Sequence, residues 1–122
     1  MIADSPLVAF VLTTDPEKAR AFYAQNLGLR LVHEDGFALV FDATGTMLRV
    51  TTVDRFVPAG ATVLGWRVKD VRAEVRRLAA NGVSFERYPG LEQDEAGVWT
   101  APDGTMVAWF KDPDDNILSV SQ

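Results

Sequence analysis

The chemistry open to this chain is bounded first by what it has little of. It carries one histidine, His33, and no cysteine. Thiol nucleophiles, disulfides and zinc–thiolate sites are therefore excluded. His33 closes an apolar stretch and precedes Glu34-Asp35-Gly36. It can be read as a proton-transfer group or as a partly exposed strand-end side chain. No G-x-S-x-G elbow and no glycine-rich phosphate loop occurs, and a hydrolytic serine would need a positioned base that the lone histidine does not evidently supply. Glu92-Gln93-Asp94-Glu95 reads as a solvated loop rather than a calcium site. What remains is recognition chemistry. Guanidinium groups can clamp carboxylates or phosphates, and tryptophan rings can stack on a flat ligand or a cation.

The elements that must position such groups follow from periodicity and punctuation. Leu7 to Leu12 reads as a strand. Asp15-Pro16 suits a helix N-cap and first-turn proline. Ala19, Phe22, Tyr23 and Leu27 then share one helical face, and Gly28 is placed to end the helix. Strands follow at Leu29–His33, Phe37–Phe41 and Met47–Val53, separated by Glu34-Asp35-Gly36 and Ala43-Thr44-Gly45. After Pro58-Ala59-Gly60 the pattern restarts. Thr62–Val68 reads as a strand, Asp70 as an N-cap, Val71, Val75, Leu78 and Ala79 as a helical stripe, and Gly82 as its stop. Val83–Tyr88 reads as a strand, and a short strand is expected at Val98–Ala101 within the polar Gly90–Gly104 stretch. Thr105–Lys111 and Ile117–Val120 complete the second half.

This is an internal repeat of roughly 55 residues. Val8 corresponds to Val63, Asp15 to Asp70 and Gly28 to Gly82. Phe37–Phe41 corresponds to Thr105–Phe110, and Leu48–Val50 to Leu118–Val120. The similarity of Gly45-Thr46-Met47 to Gly104-Thr105-Met106 misleads, because matching them would leave the last strand without a counterpart. The fold class expected is α+β: two tandem βαβββ modules, residues 1–57 and 58–122 of a single domain, forming a curved, half-barrel-like sheet with helices on the convex side. With 122 residues, 48% of them apolar, the chain can bury a core without metal or disulfide staples. The net charge of −5 disfavours nucleic acid and anionic membranes as partners. No apolar run approaches the ~20 residues of a membrane span, and Met1 to Pro6 lacks the basic-then-apolar pattern of a signal peptide. The expectation is a cytoplasmic protein.

The repeat resembles the vicinal oxygen chelate superfamily (glyoxalase, bleomycin resistance protein and extradiol dioxygenase) over nearly the whole chain. The matching motifs are Asp15-Pro16-Glu17-Lys18-Ala19-Arg20-Ala21-Phe22-Tyr23 with Leu27-Gly28-Leu29, and Phe110-Lys111-Asp112-Pro113-Asp114-Asp115-Asn116. Asp115 stands where the family usually has glycine. Aspartate visits the left-handed backbone region more readily than most residues, so the fold is not put in doubt.

Enzymes of that superfamily hold a divalent metal with four side chains on the first and last strands of each module. Carried over by motif, those positions fall on Val8, Arg49, Val63 and Ser119. Two valines offer no donor atom and an arginine brings a repelling charge, so the resemblance implies neither metal nor cofactor here. Strand alternation groups Val8, Phe10 and Leu12, groups Met47, Arg49 and Thr51, and groups Val63, Gly65 and Arg67. It sets Ile117 with Ser119, and the family pattern turns Trp109 inward. Trp66 alternates with Leu64 and Val68 and is expected beneath the second helix, while Trp99 could cover the mouth of a cleft. The expected ligand-binding residues are Phe10, Leu12, Arg49, Arg67, Trp109 and Ser119, with no catalytic residue. Arg49 and Arg67 could instead pair with carboxylates of this chain or of a second subunit, and Trp109 could be core or interface filling. The resemblance implies a homodimer that sequesters a small organic compound, acidic or aromatic, as resistance proteins do. The alternative is a metal-dependent lyase, isomerase or dioxygenase with ligands elsewhere.

Overall fold

In the computed structural model, which describes residues 1–122, the chain divides into two compact units, Met1–Val57 and Pro58–Gln122. Each is a βαβββ module with a four-stranded mixed sheet and one principal helix.

Module one opens, after a single exposed 3-10 turn, with β1 (Val8–Thr13). Asp15 then caps α1 (Pro16–Arg20), its carboxylate accepting from the Lys18 N–H at 3.2 Å. The helix continues in a wider π winding over Ala21–Asn26. Its end is marked by a bond from the Leu27 N–H to the Phe22 carbonyl, five residues back. This widening leaves Leu27 half-buried, while Ala19, Phe22 and Tyr23 are buried. Gly28 then takes φ +79°, the left-handed value that lets the chain leave the helix. Strands β2 (Arg30–Glu34), β3 (Ala38–Ala43) and β4 (Thr46–Thr52) form an antiparallel meander, and β4 lies parallel to β1. The core is Tyr23 and Phe41, rings 5.8 Å apart, with Leu39, Leu48 and Val50. Burying one such side chain stabilises the module by roughly 1.5–3 kcal/mol.

Module two repeats the plan. β5 (Thr62–Arg67) leads to α2 (Val71–Ala80), capped by Asp70 through the Ala73 N–H at 3.0 Å. Val71, Val75 and Leu78 are the buried stripe of that helix. Then come β6 (Trp99–Thr100), β7 (Met106–Lys111) and β8 (Ile117–Ser121), in sheet order β5-β8-β7-β6. The register supports the repeat alignment. Phe41 opposes Leu48 in one module and Phe110 opposes Leu118 in the other. The two Gly-Thr-Met triplets fall at different connections, one between β3 and β4 and the other between β6 and β7.

One expected strand is corrected. Residues 83–88 do not form one. Phe85 makes a single bridge to Phe110, and the Glu86 N–H donates to the Trp109 carbonyl. The reason is the Gln93 side chain, which substitutes for a neighbouring strand. Its Oε1 accepts from the Tyr88 N–H at 2.7 Å, and its Nε2 donates to the Glu86 and Gly97 carbonyls at 2.9 Å. Arg87 adds bonds to the Gln93 and Asp94 carbonyls. Backbone polar groups that would have sought a ladder are thus satisfied by side chains.

The turn that launches β8 is built by Asp112, whose carboxylate accepts from the Asp114 and Asn116 N–H groups and from the Asn116 side chain at 2.8–3.0 Å. Asp115 adopts φ +66° there, the conformation a glycine usually supplies.

Candidate functional site

In each module the helix covers one face of the sheet, and the other face is exposed along the first strand but, in module one, closed over β3, where Ala38 and Val40 are buried. On β1 the outward residues Val8, Phe10 and Leu12 are 38%, 63% and 36% exposed, while Val11 and Thr13 are buried. Phe10 pairs with Arg49, Arg49 with Val40, and Val40 with His33. Cross-strand partners project from the same face, so these four form one row across the sheet. Arg49 is half-buried and pairs with no carboxylate of module one.

His33 was not expected in this row. Strict alternation from Leu31 would turn it to the helix side. The register shifts between Leu31 and His33, with Val32 as the extra residue, and this sends His33 to the open face. Nothing in the residue types announces that bulge. His33 Nε2 lies 3.4 Å from Asp35 Oδ2. The Phe37 and Ala38 N–H groups hold the Asp35 carboxyl below the usual carboxylate range, with His33 adding to the effect. At the end of the sheet where β2, β3 and β4 meet, a hollow of about 310 Å³ is lined by Arg30, Val32, Phe41, Asp42, Gly45 and Met47. Arg30 and Asp42 close one side of it at 3.6 Å.

The open face of module two has the equivalent row: Gly65 pairs with Ser119, and Ser119 with Trp109. Gly65 is exposed, Ser119 is 9% exposed and Trp109 is half-buried. A Cβ at position 65 would stand 2.7 Å from Ser119 Oγ, so the hydroxyl leans over the bare glycine backbone. Ser119 Oγ makes no hydrogen bond within its module. Trp109 is fixed from two sides. Tyr88 meets it edge-on with centroids 5.5 Å apart, and Trp99 lies tilted at 35°, 6.1 Å away. Trp66 alternates with Leu64 as a half-buried residue of the helix side, as the sequence suggested. Arg67 lies opposite Ser121 at the exposed end of β5 and, like Arg49, has no ion-pair partner in its own module.

Tyr88 and Trp99 enlarge the aromatic set beyond what alternation could find, because the loop between Val83 and Val98 is organised by Gln93 rather than by a strand. Burial pushes the Tyr88 hydroxyl above its ordinary pKa, and the Glu86 carboxylate reinforces this against Lys111. The hydroxyl therefore stays protonated across the physiological range. Two hollows flank the trio: about 150 Å³ beside Tyr88, Trp109 and Ile117, and about 600 Å³ beside Glu92, Trp99 and Pro102.

The six residues expected to contact ligand thus fall into two sets. Phe10, Leu12 and Arg49 share the open face of module one, and Arg67, Trp109 and Ser119 that of module two. Of the four positions where metal ligands were sought, Val8, Arg49 and Ser119 lie on those open faces, whereas the register steps over Val63 between Thr62 and Leu64, so the grouping of Val63 with Gly65 by strict alternation is corrected. Their donor set is one hydroxyl and one cation, which does not fit a divalent metal. No group of three or more histidine or carboxylate side chains comes together elsewhere in the chain in a way that could hold one. No helix is long and apolar enough to cross a membrane.

Solved structures with this fold include a glyoxalase/bleomycin resistance protein/dioxygenase superfamily member from Sphaerobacter thermophilus DSM 20745, with TM-score 0.75, 19% identity and 99% and 98% of the two chains covered. A lactoylglutathione lyase from Agrobacterium tumefaciens gives TM-score 0.73 at 18% identity, covering 97% of this chain and 92% of that one. A superfamily member from Alicyclobacillus acidocaldarius gives 0.71 at 17%, covering 97% and 90%. At these identities the likeness concerns the fold. No functionally curated protein matches the sequence. The family model for the Glyoxalase/Bleomycin resistance protein/Dioxygenase superfamily matches residues 6–120, nearly the whole chain, and the protein belongs to that superfamily.

Proposed function

We propose that this protein binds and sequesters a small organic molecule with a flat or apolar part and an acidic group, and that it does so without a metal. The observation that carries the reading is Arg49. It is a half-buried guanidinium with no carboxylate partner in its own module, beside an exposed phenylalanine. Such a group is set up to receive an anion, since its unpaired N–H donors can make charge-assisted, bidentate hydrogen bonds to a carboxylate. In module one Phe10 and Leu12 supply apolar contact beside it. In module two Trp109 offers a ring to stack on, Ser119 a hydroxyl and Arg67 a second cation. A cytoplasmic homodimer with no nucleic-acid partner fits the acidic chain and the prevalence of twofold assemblies.

The test is calorimetric titration with 2-naphthoate, preceded by a thermal-shift screen of aromatic carboxylates. Arg49→Ala should weaken 2-naphthoate by about 1.5–3 kcal/mol, roughly ten- to a hundredfold, as expected for a charge-assisted hydrogen bond. An unchanged affinity, or no stabilisation by any carboxylate, sinks the assignment. Elemental analysis after purification in metal-rich buffer tests the other half, and one tightly held divalent ion per chain would overturn it. Metal-stimulated turnover of dicarbonyl–thiol adducts or catechols would move the protein to the enzymatic branch of its superfamily.

A further inference from the structure

We infer that the Gly65–Ser119–Trp109 row of module two is a specificity notch for a planar heteroaromatic ring, whose in-plane acceptor atom takes a hydrogen bond from Ser119 Oγ. This deepens the small-molecule reading above and concerns a different part of the protein from Arg49.

Three features of the row converge on that ligand. The first is the missing side chain. Any Cβ at position 65 would come to 2.7 Å from Ser119 Oγ, so glycine is what keeps the hydroxyl uncovered. The second is the hydroxyl itself. It sits on the interior strand β8 with no hydrogen-bond partner in its module, between the bare Gly65 backbone on one side and the Trp109 ring on the other. A hydroxyl can donate to a lone pair lying in the plane of a ring. The third is the wall. Trp109 stands one strand beyond Ser119, and its orientation is held by Tyr88 and Trp99. From Gly65 to Trp109 is two strand spacings, roughly 9–10 Å. A fused two-ring heterocycle spans that gap, lying over the glycine with one edge at the serine and its far end against the indole. An apolar ring of the same outline would gain the stacking but leave the hydroxyl without its water and without a replacement, which is the basis of discrimination.

The experiment compares quinoline with naphthalene, two rings of one shape that differ by a single nitrogen, by NMR titration of the Trp109 indole N–H at neutral pH. That signal is assigned by its loss in Trp109→Phe. In the unmodified protein both ligands should shift it. Ser119→Ala should weaken quinoline about fivefold while leaving naphthalene within about twofold. Gly65→Ala, which fills the notch, should weaken both about tenfold with the melting temperature nearly unchanged, because the serine hydroxyl can rotate aside. The proposal is overturned if Ser119→Ala leaves the quinoline-to-naphthalene ratio unaltered, or if neither ligand shifts the Trp109 signal. Both probes are uncharged at this pH. Their failure would leave the Arg49 assignment standing, and failure of 2-naphthoate would leave this one standing.

Discussion

Residues at matching register positions in the two modules share a backbone and part company in their side chains. In module one the row across the open face runs Phe10, Arg49, Val40, and in module two it runs Gly65, Ser119, Trp109. Bulk stands on the first strand of one and on the third strand of the other, and the central position carries a cation in one and a neutral hydroxyl in the other. On the helix side the opposite holds, with Phe41 and Leu48 matched by Phe110 and Leu118, all buried. The repeat is therefore preserved on the face that packs against the helix and released on the opposite face, including at the buried Val40 and Ser119. A duplicated scaffold needs equal cores, whereas faces turned away from the helix can diverge toward different ligand chemistry.

That contrast can be broken most directly in the cores. Phe41→Ala and Phe110→Ala should each destabilise the protein by about 3–5 kcal/mol, by similar amounts, measured from urea midpoints. A difference as large as the effect itself would show that the two cores are not equivalent. The paired helix caps come next. Asp15→Ala and Asp70→Ala should each cost about 1 kcal/mol. Unequal losses would trace to α1, whose one regular turn and a half passes into π winding, whereas α2 is regular throughout. The smallest effect concerns the turns into the last strand of each module, where a non-glycine residue holds positive φ: Thr44 at +47° and Asp115 at +66°. Thr44-Gly45 is a two-residue hairpin loop with both residues left-handed, the setting that favours Asn-Gly. Thr44→Asn should therefore raise stability by roughly 0.5–1 kcal/mol, and Asp115→Gly by less, because aspartate already tolerates that conformation. Melting temperatures of the two variants side by side would order them.

Much of this was legible from residue types. The N-caps, the helix stop at Gly28, the restart after Pro58 and the alignment of Arg49 with Ser119 follow from local signals, each with a physical cause confined to a few residues. Two features were not. The strand expected at 83–88 was read from apolar residues that do point inward at Val83, but the hydrogen bonds of the segment belong to Gln93, and no pattern in the chain announces which side chain will do this. His33 was referred to another strand and set aside, because alternation assumes an unbroken register, and the register breaks beside it. Of the candidate site, strand alternation with the family pattern reached Phe10, Leu12, Arg49, Arg67, Trp109 and Ser119. It did not reach Tyr88, which arrives through the irregular loop. The closeness of Gly65 to Ser119 is a matter of tenths of an ångström that only coordinates reveal.

The irregularity in β2 has a bearing on how such a protein can change over generations. Leu31 and His33 occupy consecutive ladder positions, and Val32 is simply stepped over. A codon gained or lost at that point need not shift the parity of the residues after it. Glu34 would still reach Arg20 of α1, and His33 would still look away from the helix. The edge of the sheet can thus absorb a change in length within a single residue, and this leaves it free to lengthen or shorten without scrambling which side chains meet a ligand.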